Sequence, residues 1–214
     1  GTDRMKSFLT QVFQSYFSNA TVVVEEDTYA AVYATTPKGE SAIVSILGTG
    51  SNCSYFDGKQ LHQKVQSLGY IVMDDCSGNV FGKEVIRKYY FNKMPQHLAL
   101  EFEKEYDMSP DYIKSKLYKE ANPNAYLATF AKFLIQHKED PFCKKIIYKG
   151  MKSFVKNYIK QYDNYQEVPV HFVGSIAFYL KEELEVTFDK YQIKLGNVLR
   201  RPIDGLIAYH VANK

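Results

Sequence analysis

The sequence predicts an α/β fold with a helical insertion, and three observations support this class. Short aliphatic runs that are typical of buried strands alternate with helical periodicity at both ends of the chain. The middle, at about 95–165, shows helical periodicity alone. A chain of 214 residues with 45% hydrophobic residues is long enough for one large domain or two small ones.

The N-terminal elements are predicted to follow the order helix, strand, helix, strand. The first helix presents one apolar stripe at three- and four-residue spacing, made of Met5, Phe8, Leu9, Val12, Phe13, Tyr16 and Phe17. The β-branched run "TVVVEED" predicts a strand that ends in acids, and "TYAAVYATT" predicts a short helix that Asp27 could cap. The run "SAIVSIL" predicts a buried strand, which completes an α/β unit.

The central elements are predicted from apolar runs and from proline positions. The segment "LGYIVMD" is read as a short strand or extended segment, and Ser77-Gly78 leads into a helix. Inside the insertion the pattern breaks at three polar-proline pairs, each typical of a helix start with proline at its first position. These pairs are Ser109-Pro110, Asn122-Pro123 and Asp140-Pro141.

The C-terminal part returns to α/β character. The segment "VPVHFVGSIAFYL" predicts a strand, a Gly-Ser turn and a helix. A strand is predicted at "YQIKL", and a terminal helix is predicted to begin at Pro202.

Composition argues against several classes of partner and compartment. A net charge of +3, with basic and acidic residues mixed along helices, does not predict a nucleic-acid partner. No apolar run reaches the roughly 20 residues that span a bilayer, and no signal peptide opens the chain, so no membrane or secretory role is expected. The cysteines Cys53, Cys76 and Cys143 form no paired spacing, which favours a reducing cytoplasm and predicts no zinc site.

Two glycine-containing turns follow predicted strands. Gly48, Thr49, Gly50, Ser51 and Asn52 form either an ordinary hairpin turn or a cradle for phosphate, in which glycine lets backbone N–H groups converge on an anion. The lysine of a Walker A loop is absent. The weaker pair, Gly174 and Ser175, fits a strand-to-helix turn equally well.

Carboxylates follow two other apolar runs. Asp27 could accept a proton from a hydroxyl nucleophile or cap a helix, and both roles stay open. Asp74 and Asp75 could bind a sugar hydroxyl or a magnesium-bound water, or start a helix. The five histidines show no metal-ligand spacing, so no metal site is assigned.

Four segments taken in order resemble one known family. These are "VVVEEDTYAAVYA", "ILGTGSNCSYFDGK", "LGYIVMDDCSGNVFGKEVI" and "VHFVGSIAFYL". They resemble the BadF/BadG/BcrA/BcrD-type ATPases, and within that group the N-acetylglucosamine kinases of the sugar kinase, heat-shock ATPase and actin superfamily. The resemblance implies two ribonuclease H-like domains that close over nucleotide and sugar, with ATP and Mg²⁺ as cofactors and a small sugar as substrate. A homodimer stays open.

The resemblance also implies roles for individual residues. Gly48, Thr49, Gly50 and Ser51 match the loop that holds the β- and γ-phosphates of ATP. Asn52 and Asp74 match sugar-binding positions, and Asp27 matches the general base on the sugar hydroxyl. Gly174 and Ser175 match the adenosine motif.

The sequence departs from the family pattern at two points. No first phosphate loop of the type Asp-x-Gly-x-Thr occurs, and Gly1 begins what resembles the first interdomain helix. We therefore expect a fragment that is inactive alone, with 1–40 as the remainder of the first domain, 41–200 as the second domain, and 201–214 as a terminal helix returning to the first. The family's Gly-Asp-Glu-Gly-Ser-Gly is replaced by "MDDCSG", where Met73 and Cys76 are expected to add side chains near the ligand.

Three functions remain in competition. The favoured reading is an ATP-dependent kinase for the hydroxyl of an N-acetylated amino sugar such as N-acetylglucosamine. An inactive nucleotide- or sugar-binding sensor is the main alternative, because of the altered "MDDCSG" segment. An iron–sulfur activator ATPase of a radical dehydratase fits less well, since the cysteines lack the required pairing.

Overall fold

The computed structural model describes residues 3–212, which form one five-stranded sheet and a set of helices. The strands are β1 (Ala42–Leu47), β2 (Ser51–Phe56), β3 (Leu61–His62), β4 (Val170–Val173) and β5 (Leu195–Leu199). The helices before β4 are α1 (Asp3–Tyr16), α2 (Asp27–Thr35), α3 (Gly78–Tyr90), α4 (Gln96–Glu105), α5 (Pro110–Tyr118), α6 (Pro123–Thr129), α7 (Ala131–Gln136) and α8 (Pro141–Asn157), followed by a short 3-10 turn at Ile159–Gln161. The remaining helices are α9 (Ser175–Tyr179), α10 (Lys181–Tyr191) and α11 (Pro202–Ala212).

The sheet is mixed, with the strand order β3-β2-β1-β4-β5. Strands β1, β4 and β5 run parallel, while β2 is antiparallel to β1 and β3 is antiparallel to β2. The register pairs Ile46 of β1 with Val173 of β4, and Val173 with Leu199 of β5. The carboxyl ends of three parallel strands therefore meet at one edge, where open α/β sheets usually bind ligands.

The sheet is covered on both faces by apolar side chains, which explains why β1 reads as a continuous hydrophobic run. Ile43 and Leu47 belong to the larger core, which contains residues of α3, α4, α7, α8 and α10. The alternate residues Ala42 and Val44 join a smaller core with Ala31 and Val32 of α2, and with Phe56 and Val173. Helix α11 packs on α2, where Tyr33 and Tyr209 stack with ring centroids 4.6 Å apart.

The helical insertion is confirmed, and proline marks its helix starts as predicted. Helices α5, α6 and α8 begin at Pro110, Pro123 and Pro141, respectively. Of the three polar residues before these prolines, Asp140 caps its helix by accepting a hydrogen bond of 2.8 Å from the backbone N–H of Phe142. The predicted strand at "SAIVSIL", the helix after Ser77-Gly78 and the strand-turn-helix at "VPVHFVGSIAFYL" are also confirmed.

Three predicted strands are wrong in place or type. The stretch before α2, 21–26, is not a strand, because its β-branched residues have no ladder partner among the described strands. The apolar residues of "LGYIVMD" form a turn, and Ile71 and Val72 are exposed. The strand predicted at "YQIKL" lies at Leu195–Leu199 instead, because α10 continues to Tyr191 and ends at Gln192 in the left-handed conformation.

Among residues 3–212, none of the helices has the length and apolar composition that crossing a bilayer would require.

Candidate active site

The carboxyl ends of β1 and β4 bring the two predicted glycine turns together. Gly174 follows β4 with φ +122°, a conformation that side chains rarely adopt. A Cβ atom at Gly174 would lie 2.3 Å from the carbonyl oxygen of Leu47 and 3.2 Å from the amide nitrogen of Gly48. Only glycine therefore allows the backbone of the second turn to lie against the first.

The loop of Gly48, Thr49 and Gly50 connects β1 to β2, so the hairpin interpretation is correct in topology. The same loop docks on the N-terminus of α3, where the amides of Gly78 and Asn79 donate to the carbonyl oxygens of Gly48 and Thr49 at 2.8 and 3.0 Å. Because the loop carbonyls face the helix, they satisfy two of its N-terminal donors. The hairpin is thus held against the helix by backbone bonds.

Two amides of this loop are left available to a ligand. The amide of Gly48 donates to the carbonyl oxygen of Gly50 at 3.0 Å. Within residues 3–212, the amides of Thr49 and Gly50 have no hydrogen-bond acceptor. Successive unpaired backbone N–H groups in a turn form an anion-binding concavity, so the loop has the chemistry of a phosphate cradle.

Asp74 lies directly against the loop. Its backbone adopts φ +69° and its amide donates to the phenol oxygen of Tyr158 at 3.3 Å. Its carboxylate Oδ2 accepts a hydrogen bond of 3.2 Å from Nδ2 of Asn79. A Cβ atom at Gly50 would lie 2.8 Å from that same Oδ2, so the carboxylate occupies the space that the glycine leaves. The structure therefore brings Asp74 and the predicted phosphate loop into contact.

Ser51 and Asn52, the two residues after Gly50, differ in their surroundings. Ser51 is buried, and within the described chain its Oγ makes no hydrogen bond of good geometry, although it lies near the Tyr158 phenol. Asn52 is partly exposed, and its Oδ1 accepts from Ser54 Oγ and Gln63 Nε2, each at 3.3 Å. Among the described residues, Asn52 and Asp74 are not joined by a hydrogen bond.

Asp27 stands apart from this cluster. It is the exposed first residue of α2, while Glu26 occupies the cap position without a side-chain cap bond. The expected helix cap at Asp27 is therefore wrong, and so is its position at the end of a strand. The chain enters β1 from the C-terminal end of α2, so Asp27 lies at the end of this helix farther from the start of β1. In the described chain no hydrogen bond or ion pair joins Asp27 to the loop at Gly48.

Ser175 is exposed at the first position of the short helix α9. It lies beside Gly174, and through that glycine it is adjacent to the β1–β2 loop.

The segment "MDDCSG" follows a different course from the one expected. Cys76 keeps a left-handed backbone with φ +62°, and its side chain is fully buried in the larger core. Met73 is partly buried against the same core. Asp75 turns to α8, where its Oδ2 accepts from Ser153 Oγ at 2.8 Å and from Asn157 Nδ2 at 2.7 Å. The two adjacent acids thus have separate surroundings.

Two residues at the site were missed by sequence reasoning. Asn79 is 1% exposed and its Nδ2 donates to the carbonyl oxygen of Thr49 at 2.7 Å as well as to Asp74. Its sequence signal was an asparagine inside the first turn of a helix, where this residue type competes with the backbone for hydrogen bonds. Tyr158, 84 positions beyond Asp74 in the chain, gave no local signal.

Metal-ligand and thiol chemistry find little support in the described residues. Residues 3–212 contain no group of three or more His, Cys, Asp or Glu side chains that could hold a metal ion. Burial raises the pKa of the Cys53 thiol to about 12, and burial also raises the pKa of Cys76. Thiols with raised pKa values are poor nucleophiles and poor metal ligands at neutral pH.

Comparison with known proteins gives a structural match along nearly the whole chain. The chain superposes over 99% of its length on a candidate N-acetylglucosamine kinase from Porphyromonas gingivalis, with a TM-score of 0.92 and 32% sequence identity, and covers 75% of that protein. No protein-family model matches the sequence, and no curated protein does.

Two more distant structures share the fold. One is a candidate N-acetylglucosamine kinase from Chromobacterium violaceum, at 17% identity and a TM-score of 0.69, with 94% of this chain and 71% of that one covered. The other is a ROK family glucokinase from Streptomyces griseus in complex with glucose and AMPPNP, at 15% identity and a TM-score of 0.55, with 95% and 71% covered. The fold is therefore the actin-like, ribonuclease H-like fold of these kinases.

Proposed function

Because the chain belongs to the sugar kinase family represented by the Porphyromonas gingivalis protein, we propose that it takes part in ATP-dependent phosphorylation of a sugar hydroxyl. The favoured substrate is an N-acetylated amino sugar such as N-acetylglucosamine. The observation that carries the proposal is the contact between an open-amide loop and a buried carboxylate, which sets a phosphate cradle beside a hydroxyl acceptor.

The loop of Gly48, Thr49, Gly50 and Ser51 is proposed to hold the β- and γ-phosphates of ATP. The unpaired amides of Thr49 and Gly50 are suited to donate to phosphate oxygens, where negative charge is present throughout the transfer. The hydroxyls of Thr49 and Ser51 add donors, and the Ser51 Oγ has no well-formed bond to give up.

Asp74 is proposed to accept a hydrogen bond from a sugar hydroxyl. A buried carboxylate beside the phosphate loop would fix the sugar relative to the transferring group, and such positioning supplies much of the acceleration in phosphoryl transfer. Asn52 is proposed as a second sugar contact. For that role the Asn52 side chain must release the hydrogen bonds from Ser54 and Gln63 and bond the sugar instead.

Asp27 is proposed as the general base that takes the proton of the attacking hydroxyl. Its exposure and freedom from described hydrogen bonds leave the carboxylate available. Because no described hydrogen bond or ion pair joins it to the phosphate loop, the proposal includes a closure of the kind that brings the parts of many kinases together.

The backbone at Gly174 and Ser175 is proposed to approach the nucleoside. Gly174 already lies against Gly48, so a nucleotide whose phosphates rest on the β1–β2 loop has its nucleoside near the start of α9.

Magnesium is proposed to arrive as the complex with ATP. Mg²⁺ keeps several waters and is usually bound through substrate phosphates and one or two carboxylates, so the residues present fit this arrangement without a dedicated protein cage. When bound, the ion neutralises charge on the phosphates. We further place the protein in the cytoplasm, where ATP is abundant and its three free cysteines stay reduced.

An assay of sugar-dependent ADP release tests the proposal. The intact protein is incubated with Mg-ATP and with N-acetylglucosamine, N-acetylmannosamine or glucose, and the same sugars are titrated by calorimetry. ADP release with an amino sugar is the expected result, and glucose serves as the comparison for the acetamido group. Amino-sugar binding without ADP release would favour the sensor, although the burial of Cys76 weakens the sequence argument for that alternative.

A further inference from the structure

Asn79 bonds both the β1–β2 loop and Asp74, which are proposed to bind two different ligands. It is the second residue of α3, it is 1% exposed, and its amide nitrogen bonds both the Thr49 carbonyl at 2.7 Å and the Asp74 carboxylate at 3.2 Å. A backbone carbonyl and a carboxylate can only accept, so the NH₂ group must face both of them. The orientation of the amide follows from its partners.

The remaining atom of this amide shows that the arrangement is specialised. Oδ1 of Asn79 is buried and has no hydrogen-bond donor among the described residues. A buried acceptor without a partner destabilises the folded state, because its hydration is lost without replacement. The side chain thus lacks a bond at Oδ1 and makes two at Nδ2, which hold the Thr49 carbonyl and the Asp74 carboxylate next to each other.

The Asp74 carboxylate is confined on its other side by Gly50. The position of a Cβ atom at Gly50 lies 2.8 Å from Oδ2, and Oδ2 is also the atom that accepts from Asn79. A shift of this carboxylate toward a bound hydroxyl therefore changes its contacts with both Asn79 and the loop. Asn79 in turn holds Thr49, which carries one of the two open amides.

We propose that Asn79 is a positioning residue that couples occupancy of the sugar site at Asp74 to the phosphate loop. A sugar hydroxyl that bonds Asp74 moves its carboxylate, and the side-chain amide of Asn79 moves with it. The side-chain amide in turn moves the Thr49 peptide, which faces the phosphates. By thermodynamic reciprocity, a bound nucleotide must then change the affinity for the sugar by the same factor by which the sugar changes the affinity for the nucleotide. The inference rests on the proposed function, since it names both ligands.

Calorimetry on the intact protein measures this coupling. The dissociation constant of N-acetylglucosamine is determined with and without saturating AMPPNP and Mg²⁺, and the ratio of the two constants is the coupling factor. For the native protein we expect a ratio of about 5 or more, as is usual between coupled sites. For Asn79→Ala we expect a ratio of about 1. The affinity for each ligand measured alone should change by a smaller factor than the native coupling factor.

The matched control is Thr187→Ala. Thr187 is a polar residue with the same 1% exposure, and its hydroxyl bonds the Glu183 carbonyl at 2.8 Å on α10, away from the loop. A variant that is merely less stable should keep the native ratio, so Thr187→Ala is expected to keep it. Asn79→Ser, whose single hydroxyl proton can serve only one acceptor, provides a second test that keeps a polar side chain, and we expect a reduced ratio.

The outcomes separate this inference from the proposed function. A native ratio kept in Asn79→Ala or, if that variant does not fold, in Asn79→Ser overturns the coupling role alone. A native protein that binds both ligands without mutual effect overturns it as well. A native protein that binds neither the sugar nor the nucleotide contradicts the proposed function itself, and with it this inference.

Discussion

The loop side of the candidate site and the segment that carries Asp27 are built in opposite ways. Around Gly50, Asp74 and Asn79 are buried, and hydrogen bonds of 2.7–3.2 Å join them to each other and tie the phosphate loop to the start of α3, about 30 positions away in sequence. Asp27 is exposed at the start of a helix, after a stretch without strand pairing. Hence the loop side is preorganised by tertiary packing, whereas Asp27 has only its helix to position it.

This difference separates stability from catalysis. Substitutions near Gly50 are expected to disturb packing and ligand binding together, since the same contacts serve both. Substitutions at Asp27 are expected to act on turnover alone, because no described side-chain contact is lost.

Asp27→Asn is expected to have the largest effect. If Asp27 takes the hydroxyl proton, turnover of a protein that also carries the first phosphate loop falls by about a hundredfold or more, while sugar affinity and melting temperature stay close to native values. Glu25→Gln, two residues earlier and also exposed, is the matched control and should retain turnover. Near-normal turnover of Asp27→Asn with sugar bound would remove Asp27 from the base role.

His171 on β4 is expected to make the buried sheet sensitive to acid. Its Nδ1 accepts from the Asn197 amide at 2.8 Å, and burial, with a smaller effect of Lys194, lowers its pKa from 6.5 to about 4. As pH falls below 6.5, the unfolded chain binds a proton that the folded state does not. Stability should therefore decrease from pH 6.5 to about 4, by about 3 kcal/mol in total.

Urea unfolding of native protein at pH 7 and pH 4.5 measures the effect, and His171→Gln should show a much smaller difference between the two. Equal pH dependence in the His171→Gln and native proteins would contradict this assignment.

Gly50→Ala is expected to displace Asp74, since the new Cβ would lie 2.8 Å from its Oδ2. Overpacking of this kind costs about 1–3 kcal/mol, and we expect sugar affinity to fall about tenfold with it. Gly48→Ala is the matched control, because a Cβ there meets nothing within 4 Å. In the absence of ligands Gly48→Ala should unfold like the native protein, and equal stabilities of the two variants would contradict the predicted clash.

Asp75→Asn is expected to have the smallest effect. It weakens the bonds from Ser153 and Asn157 that tie the segment before α3 to α8, and because the amide oxygen of asparagine can still accept both, we expect a loss of stability of about 1 kcal/mol. A double-mutant cycle with Ser153→Ala measures the coupling by urea unfolding. We expect an interaction energy of about 1 kcal/mol, and additive effects would show that the bond is unimportant.

Local sequence predicted the elements whose signals are local. Proline after a polar residue located the starts of α5, α6 and α8, because a missing N–H and a preset φ suit the first helical position. The continuous apolar run of β1 predicted burial on both faces. The same approach failed at 21–26, since a strand needs a partner and β-branched residues alone do not provide one.

The sequence by itself determined the class of fold, the glycine turns after β1 and β4, and the acids from which a site could be built. Only the tertiary structure decided that the two turns touch at Gly174, that Asp74 fills the space beside Gly50, and that Asn79 holds both. It also separated Asp75 from Asp74 and left Asp27 exposed. The physical reason is that hydrogen bonds between residues far apart in the chain depend on how strands and helices pack against one another. The periodicity of a sequence shows only which residues share a face of a single helix or strand.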